Sequence, residues 1–335
     1  MPTDCYGPRN RVHVAVLWTL AIAAFGLGLL GAPTASGQTY PSRPLRMVVP
    51  FPGGGPADQF ARLLADRLSR GLGQAVVVLP KEGGGTIIGV DYAAKSSPDG
   101  YTILLATDSV AINTASGRKL PYDLFRDLTP VSLILRSRQV LVAGPSTTWS
   151  SVNDLIATAR ANPGKIAYGT SGVGTAVHLS TERFRTAAGI TITHVPYKGV
   201  GPAMTDLIGG RVDMLILSLG FAAQHIAAGK VRALAIGEEK RYEQFPDIPT
   251  YRERGIDFTS HAWYGVLVPK GTPPAIIAHL SDEIGKALAD PELRKRIAVT
   301  AAEPMPSTPQ RFEAFLRDDV ARWETVIRAN KVQFN

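Results

Sequence analysis

Leu45 to Leu68 reads LRMVVPFPGGGPADQFARLLADRL, and the order of its parts decides the fold class. Leu45, Met47, Val48 and Val49 form an apolar, β-rich run that ends at Pro50. Beyond Phe51, Pro52, Gly53, Gly54, Gly55 and Pro56, the apolar positions Phe60, Leu63, Leu64, Ala65 and Leu68 recur at helical spacing. The pattern predicts a strand, a glycine turn and a helix. Three glycines allow close backbone approach, and the first amides of the helix lack intrahelical acceptors, so the loop suits a small anion.

Working outward, the same device recurs. Ala75 to Leu79 is expected as a strand, followed by the glycine loop with Gly84, Gly85 and Thr86 and a helix over Ile87 to Lys95. Tyr101 to Ala106 is a third strand, with Thr107, Asp108 and Ser109 at its carboxyl end, where hydroxyls can face a ligand. Val131 to Leu135 and Gln139 to Ala143 are two apolar segments around Arg136 and Arg138, where the chain is expected to pass between domains. Lys165 to Tyr168, the loop with Thr170, Ser171, Gly172 and Thr175, and a helix over Ala176 to Ala187 open a second domain. It continues through Ile190 to Val195, the loop with Tyr197, Lys198 and Gly199, a helix to Ile208, and the strand Val212 to Leu217 with Ser218 at its end. Trp263 to Val268 is read as the strand that returns to the first domain, and Gln310 to Asn330 as a helix with a one-sided stripe of Phe312, Phe315, Leu316, Val320, Trp323 and Ile327. Successive α/β units imply α/β architecture with parallel strands, and ligands then sit beyond the strands' carboxyl ends.

Residues 1–37 carry the marks of a cleavable secretion signal. Arg9 and Arg11 precede the uncharged run Val12 to Ala32, and Ala35-Ser36-Gly37 forms a small-x-small site. An uncleaved anchor is the alternative, opposed by Gly26, Gly28 and Gly31 crowding the end of the run. The single cysteine, Cys5, lies within this segment, so the processed chain contains no disulfide. The net charge of +8 suits acidic small molecules. Its basic residues are dispersed, without a stripe interleaved with aromatics, which argues against nucleic acid.

The glycine loops match no nucleotide fingerprint, and no histidine pair or Gly-x-Ser-x-Gly elbow occurs, so neither cofactor, metal nor catalytic set is expected. His178 is a candidate to reach the cleft, Lys198 to pair with a carboxylate, and Tyr197 to cover an apolar ligand body or donate its hydroxyl. Asp58, in the first turn of its helix, more simply bonds the neighbouring loop than a ligand.

Tyr40-Pro41-Ser42-Arg43-Pro44, Val49-Pro50-Phe51 with Gly53-Gly54-Gly55 and Asp58, Pro98-Asp99-Gly100-Tyr101-Thr102, Pro196-Tyr197-Lys198-Gly199, Leu207 to Asp213 and Trp263-Tyr264-Gly265 follow in order. With these motifs the chain resembles, from Tyr40 to Lys331, the solute-binding receptors of the tripartite tricarboxylate transport system, the TctC/Bug type. The resemblance implies a type II periplasmic-binding-protein fold, two doubly wound lobes around a ligand cleft, with lobe 1 formed by 40–137 plus 250–335 and lobe 2 by 138–249. It implies a periplasmic, monomeric receptor that captures a di- or tricarboxylate, acidic amino acid or aromatic acid and delivers it to membrane carrier subunits. In such receptors, loops like 52–58 and 84–86 hold a carboxylate through amides and waters, and loops like 170–175 and 197–199 face them. Ala57 departs from the threonine that many relatives place before the aspartate. A receptor feeding a sensor kinase, and an enzyme on the same fold, are the alternatives.

Overall fold

The computed structural model describes residues 40–330 together with 332 and 334; the signal expected at 1–37 lies outside them. Strand β1 (Leu45–Val49) leads to α1 (Pro56–Leu72), β2 (Val76–Pro80), a 3-10 turn at Gly84–Thr86 and α2 (Ile87–Ala94). Next come β3 (Thr102–Thr107), α3 (Ser109–Ala115), α4 (Leu124–Asp127) and the long β4 (Leu128–Ala143). Then follow α5 (Val152–Ala161), β5 (Ala167–Thr170), α6 (Ala176–Ala188), β6 (Thr193–Pro196), α7 (Val200–Ile208), β7 (Met214–Ser218), α8 (Leu219–Ala227) and β8 (Arg232–Ile236). The chain closes with β9 (His261–Pro269), α9 (Pro274–Ala289), α10 (Pro291–Val299), β10 (Ala302–Pro304) and α11 (Pro309–Asn330).

Ten strands form a sheet ordered β2-β1-β3-β9-β4-β7-β5-β6, with β8 and β10 also paired to β4. β2, β1 and β3 are parallel, as are β7, β5 and β6. β4 joins the two sets. Its first part pairs antiparallel with β9, from Leu128↔Pro269 to Arg138↔His261, and its last part with β7, from Gln139↔Ser218 to Ala143↔Met214. The two apolar segments expected at 131–135 and 139–143 are therefore one strand of 16 residues. Arg136 and Arg138 do not break it because both stand on the less buried face, where Arg136 pairs with Glu238 and Arg138 with Glu303.

Local chemistry places the elements. Ser151 caps α5 in a reciprocal capping box with Asp154. Gly73 and Gly189 end α1 and α6 in the left-handed conformation. The stripe on α11 is buried as its spacing predicts: Phe312, Leu316, Val320 and Trp323 join Val48, Leu104, Trp263 and Leu267 in one core, with Phe315 and Ile327 at its margin. Two further cores lie around the second parallel set, one with Phe184, Tyr251 and Ile216, the other with Met204, Leu217 and Ile236. Among the described residues no helix is long and apolar enough to cross a membrane.

Candidate functional site

The sheet topology brings the carboxyl ends of β1, β3, β5, β6 and β7 toward the crossover of β4, and the cavity opens there. It contains about 580 Å³ of empty space, its mouth included, and is walled by Phe51, Pro52, Gly55, Pro56, Ala57, Thr107, Asp108, Ser109, Ser137, Gln139, Ser171, Thr175, Ala176, Val177, Gly199, Val200, Ser218, Ala262 and Tyr264. Gly55, Thr175, Gly199 and Ser218 in this wall are the N-cap residues of α1, α6, α7 and α8. Four helices thus turn their N-termini, with their unsatisfied amides and partial positive charge, to one space. Among the described residues, no lysine, arginine or histidine lines it.

Hydroxyls and one amide complete the lining. The Ser171 hydroxyl donates to Thr175 Oγ1 (2.9 Å), and Thr175 in turn donates to the Gly172 carbonyl (2.7 Å). Ser137 and Ser218 share a hydrogen bond of 3.0 Å across the β4–β7 register. The Ser180 hydroxyl donates to Gln139 Oε1 at 2.8 Å, which leaves the amide's NH2 end as the donor available to the cavity. Asp108 and Ser109 are buried, and both Asp108 carboxylate oxygens and Ser109 Oγ have no hydrogen-bond partner.

Of the residues expected from sequence, Phe51, Pro52, Gly55, Pro56, Ala57, Thr107, Ser109, Ser171, Thr175, Gly199 and Ser218 lie in the wall. Gly53 and Gly54 are exposed behind it, where the Gly54 amide donates to Asp58 Oδ2 (2.9 Å). The same oxygen accepts from Arg62 Nε at 2.9 Å. Burial pushes Asp58 upward, but the bonds from Arg62 and Gly54 prevail and hold its carboxyl below the usual range. Asp58 thus ties the Gly54 amide to the first turn of α1.

Gly84, Gly85 and Thr86 stand outside the wall, and Gly85 meets the facing loop instead. A Cβ on Gly85 would fall 1.9 Å from the Val173 carbonyl oxygen. Asn113 donates to the Gly85 carbonyl (2.8 Å) and to Thr86 Oγ1 (3.3 Å), fixing Thr86 at a φ of 83°. On the other side, a Cβ on Gly199 would fall 2.6 Å from Pro52 Cγ. The loops of the two strand sets thus touch at both places.

Thr170, Gly172 and His178 support the wall from behind. Thr170 Oγ1 accepts from the Gly172 amide (3.2 Å) and shares a 2.7 Å hydrogen bond with His194 Nε2. His178 stacks on His194 with ring centroids 4.4 Å apart, and its Nδ1 accepts from the Gly174 amide at 3.4 Å. The Tyr197 hydroxyl donates to Asp206 (2.8 Å), and Lys198 is exposed away from the cavity. Asp108, Ser137, Gln139, Ala176, Val177, Val200, Ala262 and Tyr264 are not among the residues expected from sequence; Ser137, Gln139, Ala262 and Tyr264 sit inside strands, where no glycine loop marks them.

The sequence profile of the "Tripartite tricarboxylate transporter family receptor" matches residues 60–332. The chain belongs to this family. It is 40% identical to Protein BugT of Bordetella pertussis over 95% of this chain and 98% of that protein. The solved periplasmic binding protein BugD superposes with a TM-score of 0.84 at 34% identity, covering 88% of this chain and 99% of the other. R. palustris Rpa4515 with adipate superposes with a TM-score of 0.84 at 36% identity, covering 87% and 98%. The fold is accordingly the type II periplasmic-binding-protein architecture, with the sheet curled about β4. As a receptor of the tripartite tricarboxylate transporter family, the protein is a periplasmic binding component for a membrane transporter, not an enzyme.

Proposed function

We propose that the receptor captures a small dicarboxylate in the cavity at the β4 crossover, between a first lobe of residues 40–137 plus 250–335 and a second of 138–249. The carrying observation is the convergence of four helix N-termini on a space whose polar lining is hydroxyls, one amide and one buried carboxyl, with no cation among the described residues. A buried anion needs compensation. Here several oriented N–H donors supply it, each helix end contributing about 0.3–1 kcal/mol or more when partly buried. Ala57 and its neighbouring amides, Ser171, Thr175 and Ser218 are the contacts for one carboxylate end, and Gln139 donates from the floor. The adipate of Rpa4515 supports the ligand class.

Isothermal titration of the mature protein with C4 to C6 dicarboxylates, the corresponding diamides and monocarboxylates tests the reading. Dicarboxylates are expected to bind and to raise Tm, and the diamides to do neither. Tighter binding of the diamides would overturn it.

A further inference from the structure

Three polar atoms in the cavity wall have no partner, and they lie side by side in sequence. Both carboxylate oxygens of Asp108 and the hydroxyl of Ser109 lack any partner beyond the Ser109 and Asp108 amides beside the carboxylate, and each residue is only 1% exposed. Buried polar atoms are almost always paired. Those that are not, in the wall of a binding cavity, mark where a ligand supplies the partner.

The groups facing Asp108 decide what that partner is. From α11 come Asp319 and Arg322, but Asp319 is already engaged by Trp263 Nε1 (2.9 Å), Trp323 Nε1 (3.1 Å) and Arg322. From β9 comes Tyr264, and Ser171 and Thr175 stand in the same cavity wall. Burial first, and then the Asp319 charge, push the Asp108 carboxyl well above the usual carboxylate range; Arg322 and the adjacent Ser109 and Asp108 amides oppose this without reversing it. A carboxyl held in its neutral form is a hydrogen-bond donor rather than an acceptor alone.

We propose that Asp108 selects for a second carboxylate on the ligand, donating its O–H to an oxygen of that group while the Ser109 hydroxyl donates beside it. The inference rests on the organic-acid reading of the cavity and deepens it, since a monoacid of the same length leaves these donors unpaired. A consequence is a pH-dependent affinity of definite sign. As pH rises and Asp108 ionises, its charge repels the bound dianion and the donor is lost, so affinity falls toward alkaline pH.

The test is titration calorimetry of the mature receptor with a C4 to C6 dicarboxylate series, hexanoate and 6-aminohexanoate between pH 5.5 and 9, on wild type, Asp108→Asn and Asp108→Ala. Wild type is expected to prefer the best dicarboxylate over hexanoate by about tenfold or more, the scale of one hydrogen bond to a charged group. Asp108→Ala is expected to lose that preference with little change toward hexanoate. Asp108→Asn, which keeps a neutral donor in the same place, should retain most of the preference and lose the alkaline decline. Thermal melts of both variants show whether they fold, and should Asp108→Ala fail, the altered pH profile of Asp108→Asn decides alone. A dicarboxylate preference unchanged in Asp108→Ala, an alkaline decline unchanged in Asp108→Asn, or tighter binding of 6-aminohexanoate than of any dicarboxylate each overturns the assignment. If wild type binds the acids and the variants match it in preference and pH profile, the role of Asp108 fails; if wild type binds none of the acids, the organic-acid reading fails with it.

Discussion

His178 shows how a side chain outside the cavity governs its wall. Its Nδ1 accepts the Gly174 amide, one residue before the α6 N-cap, so the neutral ring with a free Nδ1 lone pair is built into the loop. Burial first, and then the neighbouring His194, hold His178 down to about 4, against the small opposing pull of Glu182. Unfolded, the same imidazole titrates near 6.5. Because the folded value is the lower one, the contribution to stability is fully present above about 6.5 and is lost as pH falls toward about 4, by at most ~3 kcal/mol from this group. His194 is depressed by burial too, and carboxylates add their own acid sensitivity. The difference between wild type and His178→Gln isolates the one residue. Urea unfolding from pH 7.5 to pH 4.5 is expected to give a shallower decline for the variant, and parallel curves would count against this account.

Among the elements, α11 carries the clearest energetic weight. Phe312 is fully buried, edge-on to Trp263 at 5.6 Å, and occupies space opened by Gly265, where a Cβ would lie 2.2 Å from its ring. Phe312→Ala is expected to destabilise by about 3–5 kcal/mol, measured as a fall in urea midpoint with the denaturant slope unchanged. A cost below ~1 kcal/mol would show that α11 is not part of the core. The short loop-to-helix elements do different work. α1, α6, α7 and α8 each begin at the cavity, and their N-caps are two glycines, a threonine and a serine, residues that leave room or add a hydroxyl. Only Thr175 caps its own helix with its side chain, accepting from the His178 amide. The other three leave their first-turn amides without a side-chain cap.

At the scale of the whole molecule, the two parallel strand sets approach through backbone contacts that only glycine permits. At Gly85 a side chain would strike the Val173 carbonyl, and a φ of 62° adds the left-handed penalty for a β-branched residue. Gly85→Val is therefore expected to keep the loops apart, leaving Tm of the free protein within a few degrees while weakening dicarboxylate binding about tenfold or more. Small-angle scattering checks the mechanism: wild type is expected to contract when ligand is added, and the variant to stay extended. Equal contraction in both would remove Gly85 from closure.

The strand-glycine-helix units were legible in the sequence because their signals are local: an apolar run, a Gly loop and a helical stripe lie within some 25 residues of one another, as in 45–68. So was the buried face of α11, which depends on side-chain spacing alone. The unity of β4 was not, because Arg136 and Arg138 read as an interruption until Glu238 and Glu303 were brought alongside them. The loops predicted for the site also divided by a rule the sequence does not contain. Gly55, Ser171, Gly199 and Ser218 reach the cavity, whereas Gly85 is taken up by Val173, Tyr197 by Asp206 and Asp58 by Arg62. Local composition determined which segments became strands, turns and helices. Which polar groups remained free for a ligand was decided only by the tertiary structure, since a donor is free or occupied according to partners tens of residues away, as Ser180 is to Gln139.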